Sequence, residues 1–475
     1  MSTHKHKHTR RAFLGNAAYG CASIGATTIL SAWTNMGLLG AAAAANRPIY
    51  NSSANDYKAL VCILLSGGND SYNMLIPRGN GEYTEYADVR TNLAIEQNTL
   101  LDLYPENPDG REYGLHPKMT NIQSLFNNDK NAAFVANVGT LIEPLSLSQY
   151  ETALNLPLGL YSHSDQKQHW QTSVPQDRSA NGWGGRLADI LQSNNANQDI
   201  SMNISLDGLN VFQRGQDVQA YTIQPSNNGS VLINSNGNNV YETLKKQSVD
   251  SLLEHNYLNI LEKAYVNSIQ GAKTNSLVFD SQIAAISQNF THQFGPGKLS
   301  QKLEMVAKTI AARDGFMVQN QTFFVEIGGF DTHDDILVRH ADLLEELDLA
   351  ISEFHGCMTD LGLNDNVTSF TISDFSRKLV TNGDGSDHGW GGHALVVGGA
   401  VEGKKIYGQF PELYIGNSLD TGNGRIIPTT SCDEYFAELA LWFGASSSDL
   451  DQILPNINNF WSPSTNGHPI GFMNY

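Results

Sequence analysis

Aspartate and histidine recur in the second half of the chain at the ends of short apolar runs. Asp331 and His333 follow TFFVEIGGF, Asp374 follows VTSFTIS, and Asp387, His388 and His393 lead into ALVVGG. Near the start, Asp70 follows ALVCILL and the pair Gly67-Gly68. Carboxylates and imidazoles together are the ligands of divalent cations, so these positions are candidate ligands for one or two Zn, Mn, Mg or Ca ions. Two ligands two places apart, released by a glycine pair from a strand end, can converge on one ion. The alternative for Asp331 is a cap on the helix that begins near Ile336. Asp374 reads either as a ligand or as a loop carboxylate paired with Arg377 or Lys378. Those cations also offer a clamp for an anion beside the metal. His388 and His393 sit in the glycine-rich segment NGDGSDHGWGGH, where backbone can approach a ligand closely.

A further group lies in YSHSDQKQHW. There Ser162 is a candidate nucleophile, since a nearby cation lowers a hydroxyl pKa, and His163 is a candidate proton carrier. A polar turn with a Ser or Asp helix cap explains the same residues. Ser71 ranks behind Ser162, and His116 reads as structural. Serine-hydrolase GxSxG, Walker A, HExxH and GxGxxG motifs are absent.

The elements that must position these residues alternate. ALVCILL, NAAFVANVG, TFFVEI, VTSFTI and ALVVGG are apolar runs of strand length, and continuous runs of this kind are strands buried on both faces. PKMTNIQSLFNN, SVDSLLEHNYLNILEKAYVNSI, LSQKLEMVAKTIAARDG (with Gly315 as its cap) and ILVRHADLLEELDLAISEFHGCM carry helical apolar spacing. Strand–helix–strand alternation with long crossovers predicts an α/β fold with a mostly parallel, doubly wound sheet. In open sheets of this type ligands bind beyond the carboxyl ends of the strands, where the Asp and His residues fall. Residues 191–250 are rich in Asn, Ser and Gln, and predict an insertion of loops and antiparallel strands.

Residues 1–45 are set aside from the fold. Arg10-Arg11 precede an apolar stretch that ends in Ala41–Ala45, the pattern of a cleaved export signal. A single domain over 46–475 and a periplasmic or secreted location follow. The leader holds four basic residues and no acidic ones, so its removal takes the net charge from −19 to −23. That charge excludes nucleic acid and an anionic membrane surface as partners. An anionic substrate must then meet local positive charge, such as a bound cation. Three cysteines remain, Cys62, Cys357 and Cys432, with no CxxC or CxxH spacing, so neither a disulfide framework nor a thiolate zinc site is implied.

Eight ordered motifs resemble a known family of exported bacterial proteins, domain of unknown function 1501. They are RRAFL, LLSGGNDSYNMLIP, GLHPKM, SHSDQKQHW, GWGGR, GGFDTHDD, SDFSRKLVTNGDGSDHGWGGHALVVGG and IPTTSCDEYFAELALWFG. The family is grouped with the alkaline phosphatase-like clan, so the resemblance implies a three-layer α/β/α sandwich. It also implies one or two divalent metals held by Asp and His from strand ends, and transfer of phosphoryl or sulfuryl groups. Carried across, Asp70 is the first-strand ligand and Asp331 with His333 the Asp–His pair, at shorter spacing than usual. Asp374 matches the aspartate of the clan's Asp-His pair, with Phe375 where histidine is expected, and His388 or His393 supplies the late histidine with Asp387 in support. The sulfatase signature C/S-x-P-x-R is not met, because Arg178 stands one place too late after Ser173 and Pro175.

The expected function is an exported metal-dependent hydrolase of phosphate or sulfate esters, with Ser162 or water as nucleophile, His163 moving protons and Arg377 holding the anion. Its substrate would be a small anionic ester or a sulfated or phosphorylated polymer. A non-catalytic binding or assembly module with an exported protein partner is the alternative.

Overall fold

The run KALVCILLS forms β1 (Lys58–Ser66), the strand around which the molecule is built. The computed structural model describes residues 57–475 apart from 154, 230–238, 256, 287–289 and 463–466, so the leader expected over 1–45 lies outside the described residues. In chain order the remaining strands are β2 (Leu75–Pro77), β3 (Leu101–Leu103), β4 (Tyr113–Leu115), β5 (Ala132–Gly139), β6 (Asn203–Ser205) and β7 (Tyr221–Thr222). They continue with β8 (Asn320–Gly328), β9 (Val367–Ser373), β10 (Arg377–Thr381), β11 (Ser386–His388), β12 (Gly392–Val397), β13 (Lys405–Gly408) and β14 (Thr430–Ser431).

Nine strands form one sheet in the order β13-β5-β12-β9-β1-β8-β6-β7, with β14 beside β5. Every pairing in it is parallel except the two made by β12, which runs antiparallel to β5 and β9. Alternate side chains of β1 point to opposite faces, as a pleated strand requires. Ala59, Val61, Ile63 and Leu65 enter one core, against Leu303 and Val306 of one helix and Leu344, Leu347 and Ile351 of another. Leu60, Cys62 and Leu64 enter a second core with Trp183, Leu187, Phe436 and Leu439. Burial on both faces is why the strand reads as an unbroken apolar run rather than an alternating one. The layers are therefore helix, sheet and helix: the α/β/α sandwich.

The helices that matter for the site are α1 (His163–Thr172), α2 (Trp183–Leu191), α3 (Lys298–Ala311), α4 (Ile336–Asp360) and α5 (Cys432–Phe443). Of these, α5 opens on a capping box, with Ser431 and Glu434 exchanging hydrogen bonds, as its sequence TSCDE implies. Gly315 is not the cap of α3. That helix ends at Ala311, and a short turn follows it, ending on the left-handed Met317.

Residues 191–250 differ from expectation. β6 and β7 are parallel, not antiparallel, and extend the main sheet beyond β8. The described residues of 239–274 belong to a separate compact unit that holds the helix Val240–Glu254 and only the first part of the helix Ile260–Ala284, two helices in place of the one long helical pattern. Among the described residues no helix is long and apolar enough to cross a membrane.

The register decides where chemistry gathers. Leu65 of β1 pairs with Ser373 of β9, and Ser66 pairs with Gly328 of β8, so the three central strands end level. The residues that follow them, Gly67, Gly329 and Asp374, begin the loops of one edge.

Candidate metal centre

His163 is the first residue of α1, behind the cap Ser162, whose hydroxyl accepts from the Asp165 N–H. A helix start aims its first side chain at whatever lies before it, here the carboxyl end of β9. The His163 Nδ1 donates to Asp374 Oδ2 at 2.8 Å, and Asp374 Oδ1 accepts from the Gly67 N–H at 3.1 Å. With Nδ1 protonated, His163 Nε2 carries the lone pair. That atom is buried without a hydrogen-bond partner, 3.5 Å from Asp331 Oδ2.

His388, at the end of β11, is locked in the same tautomer. Its Nδ1 lies 2.7 Å from the Tyr161 carbonyl, which can only accept, so Nε2 again carries the lone pair. His388 Nε2 is 3.7 Å from Asp331 Oδ1. One ligand atom from each of His163, Asp331 and His388 lies within 4.8 Å of the others. His333 adds a fourth donor: its Nε2 is 3.0 Å from His388 Nε2 and 3.1 Å from Asp331 Oδ1, and its Nδ1 is 3.5 Å from Asp387 Oδ1.

Arg377 holds the carboxylate. Its guanidinium donates to the carbonyls of Gly67 (2.7 Å), Gly68, Phe330 and Ser386 (3.0 Å each) and to Asp331 Oδ1 (2.5 Å). Burial raises the Asp331 pKa, but this hydrogen bond and charge outweigh it and keep the group below the usual carboxylate range. The Lys378 ammonium, 2.6 Å away, does the same for Asp387. Burial lowers the His388 pKa against the opposing pull of the Tyr161 carbonyl, which favours the neutral ring a metal needs.

Phe375, at the position of the expected histidine, is a wall rather than a ligand. Its ring centroid lies 4.8 Å from that of His163 and 4.5 Å from that of His388. The ring packs where a Gly68 Cβ would stand, 2.4 Å from its Cε2, and Gly68 has φ +89°. Gly67 is equally constrained, at φ +116° with a Cβ position 2.4 Å from the Asp331 nitrogen. The GG that follows β1 is thus required for the close approach of three loops.

The sequence-based candidates divide accordingly. Asp331, His388 and His333 converge as expected, while Asp374 and Asp387 orient histidines instead of facing the cluster. His163, expected to carry protons, stands among the potential ligands. Asp70 is not brought in: it is fully buried against Arg90, and burial raises its pKa despite that partner. His393 is not brought in either. It is packed between Tyr72 and Phe410, with Nδ1 accepting from the Asn137 N–H. Arg377 is wholly buried and committed to carbonyls and Asp331, so it cannot clamp an anion. Ser162 caps α1, and Ser71 is buried on Ser376 Oγ at 3.0 Å. The role of Asp374 was missed because only the tertiary fold shows that it faces His163. The pattern Ser-His at the start of a helix was the one available signal for His163 as a ligand.

The residues present fit a divalent ion. His163 and His388 each present Nε2 toward Asp331 and are fixed from behind, one by the Asp374 carboxylate and one by the Tyr161 carbonyl, the outer arrangement that metal-binding histidines require. Two imidazoles and a carboxylate favour Zn or Fe over Mg or Ca.

The model of the family described as "Protein of unknown function (DUF1501)" matches residues 57–417. The chain belongs to the DUF1501 family. Comparison with curated protein sequences found no match. Among solved structures, Ps i-CgsB is 13% identical over 85% of this chain and 76% of its own, with a TM-score of 0.33. Its complex with k-i-k-neocarrahexaose gives 14% and 0.30. A mutant of the alkaline phosphatase PafA is 12% identical over 68% of this chain and 63% of its own, at 0.22. All three scores are far below that of a shared global superposition.

Proposed function

We propose that this DUF1501 protein is a metal-dependent hydrolase of phosphate or sulfate esters, with His163, Asp331 and His388 as ligands. The observation that carries the reading is the pair of imidazoles whose tautomers are fixed so that both lone pairs face Asp331. Three protein ligands leave a coordination position open, the hallmark of catalytic rather than structural sites. When bound, a divalent ion supplies a Lewis acid that acidifies a coordinated water or polarises an ester oxygen. Water is the preferred nucleophile, because the Ser162 hydroxyl caps α1.

The chain's residues then have distinct tasks. His333, whose Nδ1 faces Asp387 and whose Nε2 lies 3.0 Å from His388 Nε2, would accept and return a proton. Asp374 and the Tyr161 carbonyl keep His163 and His388 in their tautomers. Arg377 fixes Asp331. With Arg377 and Lys378 both paired inside an acidic protein, the ion is the positive charge that would receive an anionic ester. The same proposal includes export of the chain by the leader at residues 1–45.

The test is elemental analysis of protein purified without chelator, followed by phosphate- and sulfate-ester assays on the metal-loaded form. The expected result is a bound ion and hydrolysis, both lost in His388→Ala. A folded protein that takes up no Zn, Mn, Fe or Ca would overturn it. A loaded protein inert on every ester would favour the alternative, a binding module, for which the supporting observation is that Arg377 and Lys378, the cations beside the ligands, are both paired.

A further inference from the structure

Exposed apolar side chains are unevenly spread over this chain. Of 19 large hydrophobic residues that lie exposed among the described residues, eight fall between Val240 and Tyr265. A concentration of this kind marks an interaction surface, where single exposed residues do not. The two helices that carry it run antiparallel. Lys273 Nζ meets Asp250 Oδ1 at 2.6 Å, and Gln270 Nε2 donates to the Leu253 carbonyl at 2.7 Å. Beside these contacts Val249, Leu253, Val266 and Ile269 are only half-buried, and no described residue from Asn239 to Thr274 is buried. Nor does the hairpin hold a cysteine that could brace it. Two helices without a core are not stable by themselves; pieces this small are completed by oligomerisation when no disulfide or metal does it.

The helical period shows which side is left to be covered. Tyr241, Leu244, Ser248 and Leu252 recur at steps of three and four on the first helix, as do Leu261, Tyr265, Ser268 and Ala272 on the second, and all eight are exposed. Each stripe lies about 100° around its helix from the half-buried side, in the same rotational sense. In an antiparallel pair that common sense brings both stripes to one flank. The result is a single apolar face whose stripes hold no charged residue. Over residues 240–274 four lysines offset four carboxylates, whereas the whole chain carries −19. A neutral face on an acidic body is where two copies can meet without like-charge repulsion, while an anionic membrane would still repel the body.

We propose that this face pairs with the same face of a second copy about a twofold axis, giving a four-helix bundle. Pairing covers both stripes of each copy and supplies the core that the hairpin lacks. Tyr241, Leu244, Leu252, Leu261 and Tyr265 are each more than half exposed. At on the order of 100 Å² apiece they offer roughly 500 Å² of apolar area, the nonpolar share of a standard interface of about 800 Å² per partner. The dimer is independent of the metal centre.

The experiment is sedimentation velocity on the full chain over about a hundredfold range of concentration, with hydrogen exchange followed at the two ends of that range. Expected are a reversible dimer and slower exchange in 240–274 when it forms. The dimer should weaken at least tenfold in both Leu252→Glu and Tyr265→Glu, positions whose exposure spares the fold. Leu209→Glu, an exposed apolar position outside the hairpin, should leave it unchanged. Added salt should tighten it, because screening relieves the repulsion between the acidic bodies. A monomer at every concentration would overturn the proposal, whether the face is then covered by a different protein or by nothing. So would a dimer of parent strength in both hairpin variants, one weakened equally by Leu209→Glu, one loosened by salt, or one that slows exchange only outside 240–274.

Discussion

Two sets of histidines in this molecule stand in opposite physical situations. His163 at the start of α1, His333 in the loop after β8 and His388 at the end of β11 lie beyond the central strands, and their Nε2 atoms approach one carboxylate, Asp331. His116, His340 and His393 are buried, and each is satisfied or packed where it stands. His116 Nδ1 accepts from the Lys118 N–H, His340 Nε2 meets Asn69 Oδ1, and His393 lies flat on Phe410 at 4.7 Å. Burial pushes all three down to about 3, so they are neutral rings in the fold. What separates the two sets is where the second ring nitrogen points, and what holds the first one. The glycine-rich segment that His388 and His393 share does not separate the two cases.

The largest expected contrast is in metal content. His388→Ala should reduce bound ion from about one per chain to background, since two remaining protein ligands do not hold a divalent ion tightly. His393→Ala should leave stoichiometry intact. Elemental analysis of the two variants side by side checks this, and equal losses would erase the distinction between the sets. The outer partners come next. Asp374→Asn keeps an acceptor for the Gly67 N–H but weakens the hold on the His163 tautomer. Metal affinity should fall roughly 10–100-fold, read by competition with a chromophoric chelator. An unchanged affinity would mean that the Asp374 contact does not orient a ligand.

The smallest effect concerns the buried set and is one of stability. Each of these imidazoles has an ordinary value of 6.5 and a folded value of about 3. Between those values the unfolded chain binds more protons than the fold. The stabilisation they give is therefore complete above 6.5 and is lost as pH falls toward 3. The slope is at most about 1.4 kcal/mol per pH unit for each ring. Denaturant unfolding of parent and His393→Gln at pH 7 and pH 5 should show a smaller acid-side loss in the variant. A parallel loss in both would show that His393 does not carry this linkage.

Legibility in the sequence followed physical reach. β1, β5, β8, β9 and β12 were readable because double-sided burial writes a continuous apolar run, and α4 because 25 residues of periodic sequence leave little choice. β6 and β7 were misjudged as antiparallel: with 3 and 2 residues their direction is set by pairing with β8, not by local pattern. At the site, strand-end position and residue type were enough to single out Asp331 and His388, which the fold brings together. Asp70 stands apart because Arg90, twenty places on, pairs with it, and the Arg377 donors are taken up by four carbonyls from three other segments.

The sequence by itself determined the layered architecture, the family and the edge of the sheet at which Asp and His residues gather, since these depend on patterns a few residues long. Which of the Asp and His residues face one another depended on the shared register of β1, β8 and β9 and on the start of α1. Those relations join residues more than a hundred positions apart. Only the tertiary structure brings their lone pairs to one point, because the direction of a ring nitrogen is fixed by its partner across the fold and not by its neighbours in the chain.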